Sequence, residues 1–385
     1  MRATRAVIHL DHFRHNLRVL SEHALRISGR TPGFCVSVKA DGYGHGASQV
    51  ARVAFEEGAQ AVAVATVEEG ARLRDAGIDG RILLYSLAML DEAPEIVELG
   101  LEPFVADEEY VAALSRAVAG GAGDRSVGVH LKIDTGMGRI GCRPGEAASL
   151  AMRIAHDAHV ELAGVCTHFP SADDDDQGFT RFQIDSFKNA VDEIRNAGVK
   201  VPALHMANSG ATLGVGESLA DMVRPGITAY GYYPSHDQER ELDLRPVMEL
   251  ESRVSFVKTV YPGETVSYGR SWKTERTTRI ATIPVGYADG YNRLLSDRAE
   301  VLIFENSGRN NERAKPRRVP VVGKVCMDQC MIDCGPDSPV ARGDRVVLFG
   351  PDSRGPDAEE IADAVCTIPY EVLTQVNFRV PRTYR

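Results

Sequence analysis

Short apolar runs rich in β-branched residues alternate with amphipathic stretches from residue 34 to about residue 225. Such runs are typical of buried strands, whereas apolar positions that recur every three or four residues are typical of helices. Eight runs have the strand pattern: Phe34–Val38, Ala61–Ala65, Arg81–Tyr85, Glu102–Val105, Val127–Ile133, Val160–Cys166, Val201–His205 and Asp221–Arg224. Helical patterns lie between them, at Ala47–Glu57, Val67–Ala76, Asp107–Ala119 and Phe179–Ala197. Eight strand–helix units predict an α/β fold, a (β/α)8 TIM barrel, preceded by a helix at Leu10–Leu25.

The pattern changes after about residue 245. Strand-like runs separated by Gly, Pro, Asn and Asp turns then dominate, at Val254–Val260, Arg279–Val285, Val301–Phe304, Val319–Ile332 and Arg345–Phe349. Helical patterns return only at Glu359–Val365 and Tyr370–Gln375. We therefore predict a barrel over residues 1–245 and a mainly β domain over residues 246–385, with a polar loop at Asn306–Arg318.

Composition narrows the functional class. The 385 residues are 43% apolar and 25% charged, as in an ordinary globular protein. The net charge of −10 argues against binding to nucleic acid. No apolar run approaches the roughly 20 residues of a membrane helix, and the N-terminal residues lack the apolar segment of a secretion signal. We expect a cytoplasmic protein that does not bind membranes, with its seven cysteines reduced.

Two clusters could suggest metal binding. Cys326, Cys330 and Cys334 are spaced by four, but Val325–Ile332 has a strand pattern that would place all three on one face. No neighbouring histidine completes a zinc-like set, so we expect buried thiols. Asp173–Asp176 lacks the alternating spacing of calcium ligands and is typical of a solvated loop. We expect no metal site.

Polar residues directly after strands carry the functional prediction, because barrel enzymes work at the C-terminal ends of their strands. These residues are Lys39, Asp134–Arg139, Thr167–Phe169, His205–Gly210 and Arg224. Lys39 ends a buried run and begins a glycine-rich loop. A desolvated amine there can lose its proton and act as a nucleophile or form a Schiff base. The alternative is a lysine that extends from a strand end into solvent.

Two further features suggest a cofactor. Asn208-Ser209-Gly210 suits a helix N-terminus, and Gly226 allows close backbone approach, which together favour a phosphate. The alternative is an ordinary helix cap and a turn glycine. Arg224 is a permanent cation at a strand end, so it needs either an ion-pair partner or a ligand. An imine-forming lysine, a phosphate cradle and an arginine near a ring are the parts of a pyridoxal phosphate (PLP) site.

The segment Thr265–Trp272 lies in the mainly β part and contains the only tryptophan. Its glycines predict a hairpin or turn with an aromatic side chain packed on it.

Several segments, in order along the chain, resemble the bacterial alanine racemases, which are barrel-type (fold type III) PLP enzymes. The resemblance extends from about residue 5 to residue 385. The matching segments are Val38–Gly46 (VKADGYGHG), Lys132–Gly141, Thr167–Phe169, His205–Ser209, Arg224–Ile227, Val266–Gly269, Val285–Gly290, Cys326–Asp328 and Ile368–Tyr370.

The resemblance implies four residues close to the chemistry. Lys39 is the residue that holds PLP covalently and, once released by substrate, acts as a base on one face of the α-carbon. Tyr268 is the base on the opposite face, contributed by the other subunit of a homodimer with shared active sites. Arg224 is the partner of the pyridine nitrogen, and His168 links it to Tyr268.

The resemblance also implies the surrounding binding residues. Arg139 contacts the phenolic oxygen of PLP and the substrate carboxylate, and Lys132 is a possible carbamylated lysine that steadies Arg139. Tyr287 and Tyr370 crowd the entrance, which favours a small amino acid. The remaining residues contact the cofactor (Tyr43, Asn208, Ser209, Gly226, Ile227 and Tyr370) or the substrate (Met327 and Asp328).

The implied function is interconversion of L- and D-alanine by two bases, supplying D-alanine for peptidoglycan. A tyrosine acts as a base near neutral pH only where positive charge favours its ionised form, which a path from Arg224 through His168 would supply. A serine racemase or one of broader specificity remains an alternative. So do a decarboxylase of the same architecture, which would place an acid at the ring nitrogen, and a non-catalytic PLP-binding protein.

Overall fold

The structure is a computed structural model that describes residues 2–121, 126–305 and 316–385. It divides into two compact units. One, the barrel unit, comprises Arg14–Gly42 and Ala47–Leu244. The other, the β unit, comprises the chain up to Phe13, Tyr43–Gly46 and Arg245–Arg385. Most of the predicted loop at Asn306–Arg318 lies outside the described residues.

The secondary structure follows the predicted alternation over the first 225 residues. The first nine strands are β1 (Arg5–Ile8), β2 (Gly33–Ser37), β3 (Ala61–Val64), β4 (Ile82–Leu84), β5 (Glu102–Val105), β6 (Val127–Lys132), β7 (Val160–Cys166), β8 (Leu204–His205) and β9 (Met222–Val223). The helices among them are α1 (Leu10–Ser28), α2 (Ala47–Glu56), α3 (Val67–Asp75), α4 (Ala93–Glu98), α5 (Glu108–Gly120), α6 (Ala147–Ala155), α7 (Gly178–Asn196) and α8 (Ser209–Gly214).

Strands β2 to β9 form one eight-stranded sheet in the barrel unit, in the order β8-β7-β6-β5-β4-β3-β2-β9. Every neighbouring pair is parallel, as expected for strands joined by helical crossovers. Backbone bonds from Asp221 N to Leu204 O (2.9 Å) and from Arg224 N to Ala207 O (2.9 Å) join the two ends of the sheet. The predicted (β/α)8 barrel is therefore confirmed.

Apolar side chains fill part of the barrel. One buried cluster comprises Cys35, Ala61, Ala63, Leu83, Phe104, Cys166 and Met222. These residues come from six different strands, as in barrels whose interior is a packed core rather than a pore. The C-terminal strand ends are held at fixed positions by this core, and the predicted functional residues of this unit follow them.

Among the described residues, the β unit contains β1, the remaining strands and two further helices, which confirms the predicted mainly β character. The remaining elements are β10 (Met248–Arg253), β11 (Phe256–Val260), β12 (Thr265–Val266), β13 (Trp272–Lys273), β14 (Thr278–Ile283), β15 (Glu300–Phe304), β16 (Arg317–Pro320), β17 (Cys330–Asp333), β18 (Arg345–Phe349), α9 (Ala358–Ala364), α10 (Pro369–Gln375) and β19 (Arg382–Tyr384). They form a six-stranded sheet (β16-β15-β18-β10-β1-β19), a three-stranded sheet (β11-β14-β17) and the hairpin β12-β13.

The strand predicted at Val319–Ile332 is wrong in its extent. The chain forms two strands there, and Gly323 between them has a φ of +73°. Of the three cysteines assigned to one strand face, only Cys330 lies within a strand. Cys326 precedes β17 and Cys334 follows it, so strand alternation does not group them. All seven cysteines are free.

In the part of the chain that the structure describes, no helix combines the length and the apolar character needed to span a membrane.

Candidate functional site

Lys39 lies where β2 leaves the barrel sheet, and the backbone after it is left-handed. Ala40, Asp41, Gly42 and Tyr43 have φ values between +52° and +63°, a region that L-residues rarely occupy. Two carboxylates hold this turn, because Glu69 accepts from Ala40 N (2.6 Å) and Asp41 accepts from Ala47 N (2.9 Å). Local strain that the surroundings maintain in this way is typical of functional sites.

The Lys39 amine is half-buried in a positive environment. Burial lowers its pKa from the ordinary value, and the nearby charge of Arg139 lowers it further, while Glu69 partly opposes the effect. A larger fraction of the amine is therefore neutral near pH 7 than for a lysine in water, and a neutral amine can accept a proton or attack a carbonyl.

Arg224 follows β9 and is 4% exposed. Its Nη1 donates to His205 Nδ1 (2.9 Å) and His205 O (2.8 Å), and its Nη2 donates to Thr167 O (2.7 Å), Met206 O (3.0 Å) and His168 Nδ1 (3.3 Å). Among the described residues, no acceptor bonds its Nε–H. No carboxylate pairs with it directly in that part of the chain either, so the guanidinium is held by neutral acceptors.

His168 and Lys132 stand at the ends of neighbouring strands near Arg224. Burial, followed by the charges of Arg224 and Lys132, holds the pKa of His168 well below its ordinary value. Lys132 is 2% exposed, and burial together with Arg224 and Arg139 lowers its pKa to about 7. Arg139 itself is exposed. The barrel thus brings Lys39, Lys132, Arg139, His168 and Arg224 into one electrostatically coupled group.

The loops after β8 and β9 also lie together. Asn208 caps α8 by accepting from Ala211 N (3.0 Å), which confirms the predicted helix N-terminus. The Ser209 hydroxyl accepts from Gly226 N (2.8 Å) and from Thr228 Oγ1 (3.2 Å), so its own proton remains to be donated. Ile227, which follows Gly226, is fully buried.

The remaining predicted residues lie in the β unit. Tyr43 and Tyr370 pack against each other with ring centroids 5.9 Å apart. Tyr268 is at the tip of the hairpin β12-β13 and is 71% exposed. The predicted hairpin is therefore confirmed, but its packed aromatic side chain is Trp272, which lies on a cluster with Val260, Val266 and Ile280.

Tyr287, Met327 and Asp328 lie on two backbone segments that are bonded to each other. Tyr287 N donates to Cys326 O (3.1 Å), and Ala288 N donates to Met327 O (3.0 Å). A side chain at Gly286 would overlap this contact, because its Cβ would lie 2.2 Å from Cys326 O. Ser267, next to Tyr268, donates to Lys324 O (2.6 Å), so the hairpin tip joins the same surface.

Sequence reasoning missed several residues that support these groups. Asp328 pairs with Arg379 (2.7 Å), and Arg379 also approaches the fully buried Asp289 (3.4 Å). In the barrel, Glu102 and His130 join His205 in a chain that ends at Arg224. The available signal for His130 was a lone histidine within an apolar strand.

One group of possible metal ligands occurs among the described residues, although none was expected from the sequence. The ligand atoms of His9, Asp11 and His12 lie within 4.8 Å of one another. Asp11 is exposed. Burial and the neighbouring His12 lower the pKa of His9, Asp11 opposes that shift, and the charges of Arg385 and Arg345 add to it. These two cations would also repel a metal ion.

The eight-stranded βα barrel carries an amine of lowered pKa and a buried arginine at its C-terminal strand ends, where barrel enzymes place their functional groups. Two family models match the chain, "Alanine racemase, N-terminal domain" over residues 8–234 and "Alanine racemase, C-terminal domain" over residues 247–384. The chain belongs to the alanine racemase family of isomerases, as the resemblance implied.

Individual relatives are similar to this chain over its whole length. The alanine racemase of Treponema denticola is 42% identical over 100% of this chain and 98% of its own length. Among solved structures, the alanine racemase of Streptomyces lavendulae superposes with a TM-score of 0.90, at 36% identity over 100% of this chain and 97% of that one. An alanine racemase of Bacillus anthracis with bound L-Ala-P gives a TM-score of 0.88, at 32% identity over 100% and 95% of the two chains.

Proposed function

We propose that the protein interconverts L- and D-alanine with PLP, using Lys39 and Tyr268 as opposite-face bases, and that it supplies D-alanine for peptidoglycan. The observation that carries this proposal is the half-buried Lys39 amine of lowered pKa at the end of a barrel strand. Membership in a family whose relatives are named alanine racemases supports the substrate. We further propose a cytoplasmic homodimer with shared active sites.

The residues present fit PLP. Lys39 supplies an amine that can form an imine with an aldehyde. Arg224 supplies an Nε–H that no described acceptor uses, which suits a ring nitrogen that accepts a hydrogen bond. Ser209 supplies a free hydroxyl proton beside the Gly226 backbone, which suits a phosphate. In the β unit, the rings of Tyr43 and Tyr370 complete the set that the resemblance implies.

When bound, PLP spreads the negative charge that remains on the α-carbon after proton removal. The protein's part is to hold and move that proton. The neutral Lys39 amine accepts the proton on one face, because its environment disfavours the charged form. Tyr268 serves the other face, in the site of the partner subunit, and its exposure at a hairpin tip supports that role.

Charged and bulky side chains would bind the small substrate. Arg139 is suited to the carboxylate, because a guanidinium can donate two parallel hydrogen bonds to it. On the β unit, Met327, Asp328 and Tyr287 form one surface that would limit the side chain to a methyl group. Serine racemisation or a broader substrate range is the nearest alternative.

Arg224 distinguishes this proposal from decarboxylation. A decarboxylase of the same architecture would place an acid at the ring nitrogen. Arg224, which the resemblance matches to that position, is a permanent cation surrounded by neutral acceptors. It does not readily give its proton to the ring nitrogen, which would disfavour transamination and decarboxylation. Arg224→Glu should therefore raise transamination, and an unchanged side-reaction rate would contradict this role.

The first experiment tests cofactor and reaction together. The purified protein should be yellow, and borohydride should fix the cofactor to Lys39, as peptide mass analysis would show. Alanine, serine and a panel of other amino acids should then be followed by chiral chromatography. Bound PLP without racemisation of any of them would refute the proposal and favour the non-catalytic alternative.

The second experiment tests the two bases. In Lys39→Ala and in Tyr268→Phe, α-proton exchange should be lost from one enantiomer before it is lost from the other. Deuterium uptake by each enantiomer in D₂O measures this exchange. Glu217→Gln, which changes an exposed surface carboxylate paired with Lys188, is a suitable control. Equal loss of exchange for both enantiomers in each variant would contradict the two-base assignment.

A further inference from the structure

A chain of buried polar side chains crosses the barrel from the start of one strand to the end of another. Glu102, the first residue of β5, accepts from His130 Nε2 (2.9 Å). His130 Nδ1 lies 2.9 Å from His205 Nε2, and His205 Nδ1 lies 2.9 Å from Arg224 Nη1. Both imidazoles are fully buried. Barrel interiors are normally filled by branched apolar side chains, so a continuous polar chain there is unusual.

The direction of every hydrogen bond in this chain follows from Arg224. A guanidinium can only donate, so His205 Nδ1 must accept, and a neutral His205 carries its proton on Nε2. That proton is donated to His130 Nδ1, and the Nε2 proton of His130 is donated to Glu102. Each imidazole is thus restricted to one tautomer.

Electrostatics agree with this assignment. Burial lowers the pKa of both histidines, so both are neutral at pH 7. Although burial opposes its ionisation, bonds from His130 and Arg81 lower the pKa of Glu102 to about 2, so it is ionised. The charged groups that face the two imidazoles are Glu102, Arg81, Lys132 and Arg224. A negative end, two neutral relays and a positive end form one polarised chain.

We propose that Glu102, His130 and His205 are positioning residues that orient Arg224 and transmit the charge of Glu102 to it from the opposite end of the barrel. His205 accepts from both Nη1–H groups of Arg224, through its Nδ1 and its backbone oxygen. The Nε–H group is therefore left for a ring nitrogen. This role rests on the proposed function, because it matters only if Arg224 contacts a cofactor ring. The hydrogen-bond directions themselves do not depend on it.

The directions can be tested in the cofactor-free protein by ¹⁵N NMR with labelled histidine. His130 and His205 should give the Nε2–H tautomer alone from about pH 7 upward, because the network excludes the other neutral form. Their signals would be assigned with His130→Gln and His205→Gln. A protonated imidazole or a mixture of tautomers at either position would overturn the proposal.

The transmission of charge is tested with Glu102→Gln, which keeps the shape and an acceptor oxygen but removes the charge. The Arg224 Nε–H signal should move in the cofactor-free variant, and kcat of the PLP-loaded enzyme should fall about tenfold with little change in KM. Glu102→Asp keeps the charge, so its Arg224 Nε–H signal and its kcat should lie closer to those of the wild type. Glu217→Gln is the matched control, since the Glu217 carboxylate pairs at the surface with Lys188 (3.4 Å).

An unchanged Arg224 Nε–H signal in Glu102→Gln would refute the transmission role. An equal loss of folding stability with no change in that signal would show a purely structural role instead. If the proposed function failed, the protein would racemise no amino acid, with or without bound PLP, yet the tautomer measurements would still decide the hydrogen-bond directions.

Discussion

Gly42 shows how single residues shape the loop after Lys39. Its role could not be interpreted from the sequence. In the structure its φ is +63°, and an added Cβ would lie 2.8 Å from Val50 Cγ2 and 3.2 Å from Ala47 Cα. The space around its Cα therefore requires glycine, and the left-handed backbone, which Ala40 and Asp41 share at a cost, favours it.

We expect Gly42→Ala to lower the free energy of unfolding by about 2–4 kcal/mol, since strain and overlap add. Urea titration followed by circular dichroism would measure it. Gly29→Ala is the control, because Gly29 has a φ of +72° but open space around its Cβ, and should cost only about 1–2 kcal/mol. Equal losses in the two variants would exclude a packing role for Gly42.

Lys132 should make stability depend on pH. Its pKa falls from 10.5 when unfolded to about 7 when folded. Between these values the unfolded chain holds a proton that the folded chain has released, so stability rises with pH, by up to about 1.4 kcal/mol per pH unit. Below pH 7 Lys132 is protonated in both the folded and the unfolded chain, so the cost of burying its charge no longer changes with pH.

Lys132→Met should remove this slope, measured as the difference in unfolding free energy between wild type and variant from pH 6.5 to about 9.5 in carbon-dioxide-free buffer. The unfolding free energy of the wild type should increase relative to that of the variant as the pH rises. Parallel curves would contradict the lowered pKa. The sequence predicted Lys132 as a site residue, but only the fold reveals how completely it is buried.

At the scale of elements, the sequence predicted what local patterning determines. The eight barrel strands and helices such as α7 were predicted within a few residues, because their periodicity is local. β1 and β19 were missed, since each is stabilised by a partner distant in sequence. Glu102 and His130 were missed for the same reason, because only the barrel register brings them to His205.

The contact of Gly286 with the Cys326–Asp328 segment makes a second packing prediction. Gly286→Ala should lower the free energy of unfolding by about 2–3 kcal/mol, because the new Cβ would meet two carbonyl oxygens within 2.5 Å. Chemical denaturation would measure it, with Gly145→Ala as a control whose Cβ meets nothing within 4 Å. A wild-type midpoint for Gly286→Ala would show that the two segments separate easily.

At the scale of the whole molecule, the two units are not simple halves of the chain. The β unit takes in the chain up to Phe13 and the short Tyr43–Gly46 segment, which directly follows the Lys39 turn. Sequence periodicity could not predict this, because four residues carry no pattern of their own. The family models, by contrast, divide the chain between residues 234 and 247.

If Tyr268 serves the partner's site, two inactive variants should complement each other. Mixing Lys39→Ala with Tyr268→Phe after dissociation should restore about a quarter of wild-type activity, since half of the dimers are mixed and each has one intact site. Each variant alone, treated in the same way, is the control. No recovery, despite mixed dimers seen by native mass spectrometry, would mean that Tyr268 acts within its own subunit.

The position of β1 has a consequence for how the protein folds during synthesis. β1 lies between β10 and β19 in the six-stranded sheet, so both of its partners are translated long after it. Barrel strands β2 to β8 can pair successively as they emerge, because each has a neighbour close in sequence, and only the β2–β9 pairing waits for the end of the barrel. Residues 5–8 must wait, unpaired, until residues 248–253 and 382–384 leave the ribosome. The N-terminal strand is therefore among the last to be secured, and chaperone binding to nascent chains should be sought there.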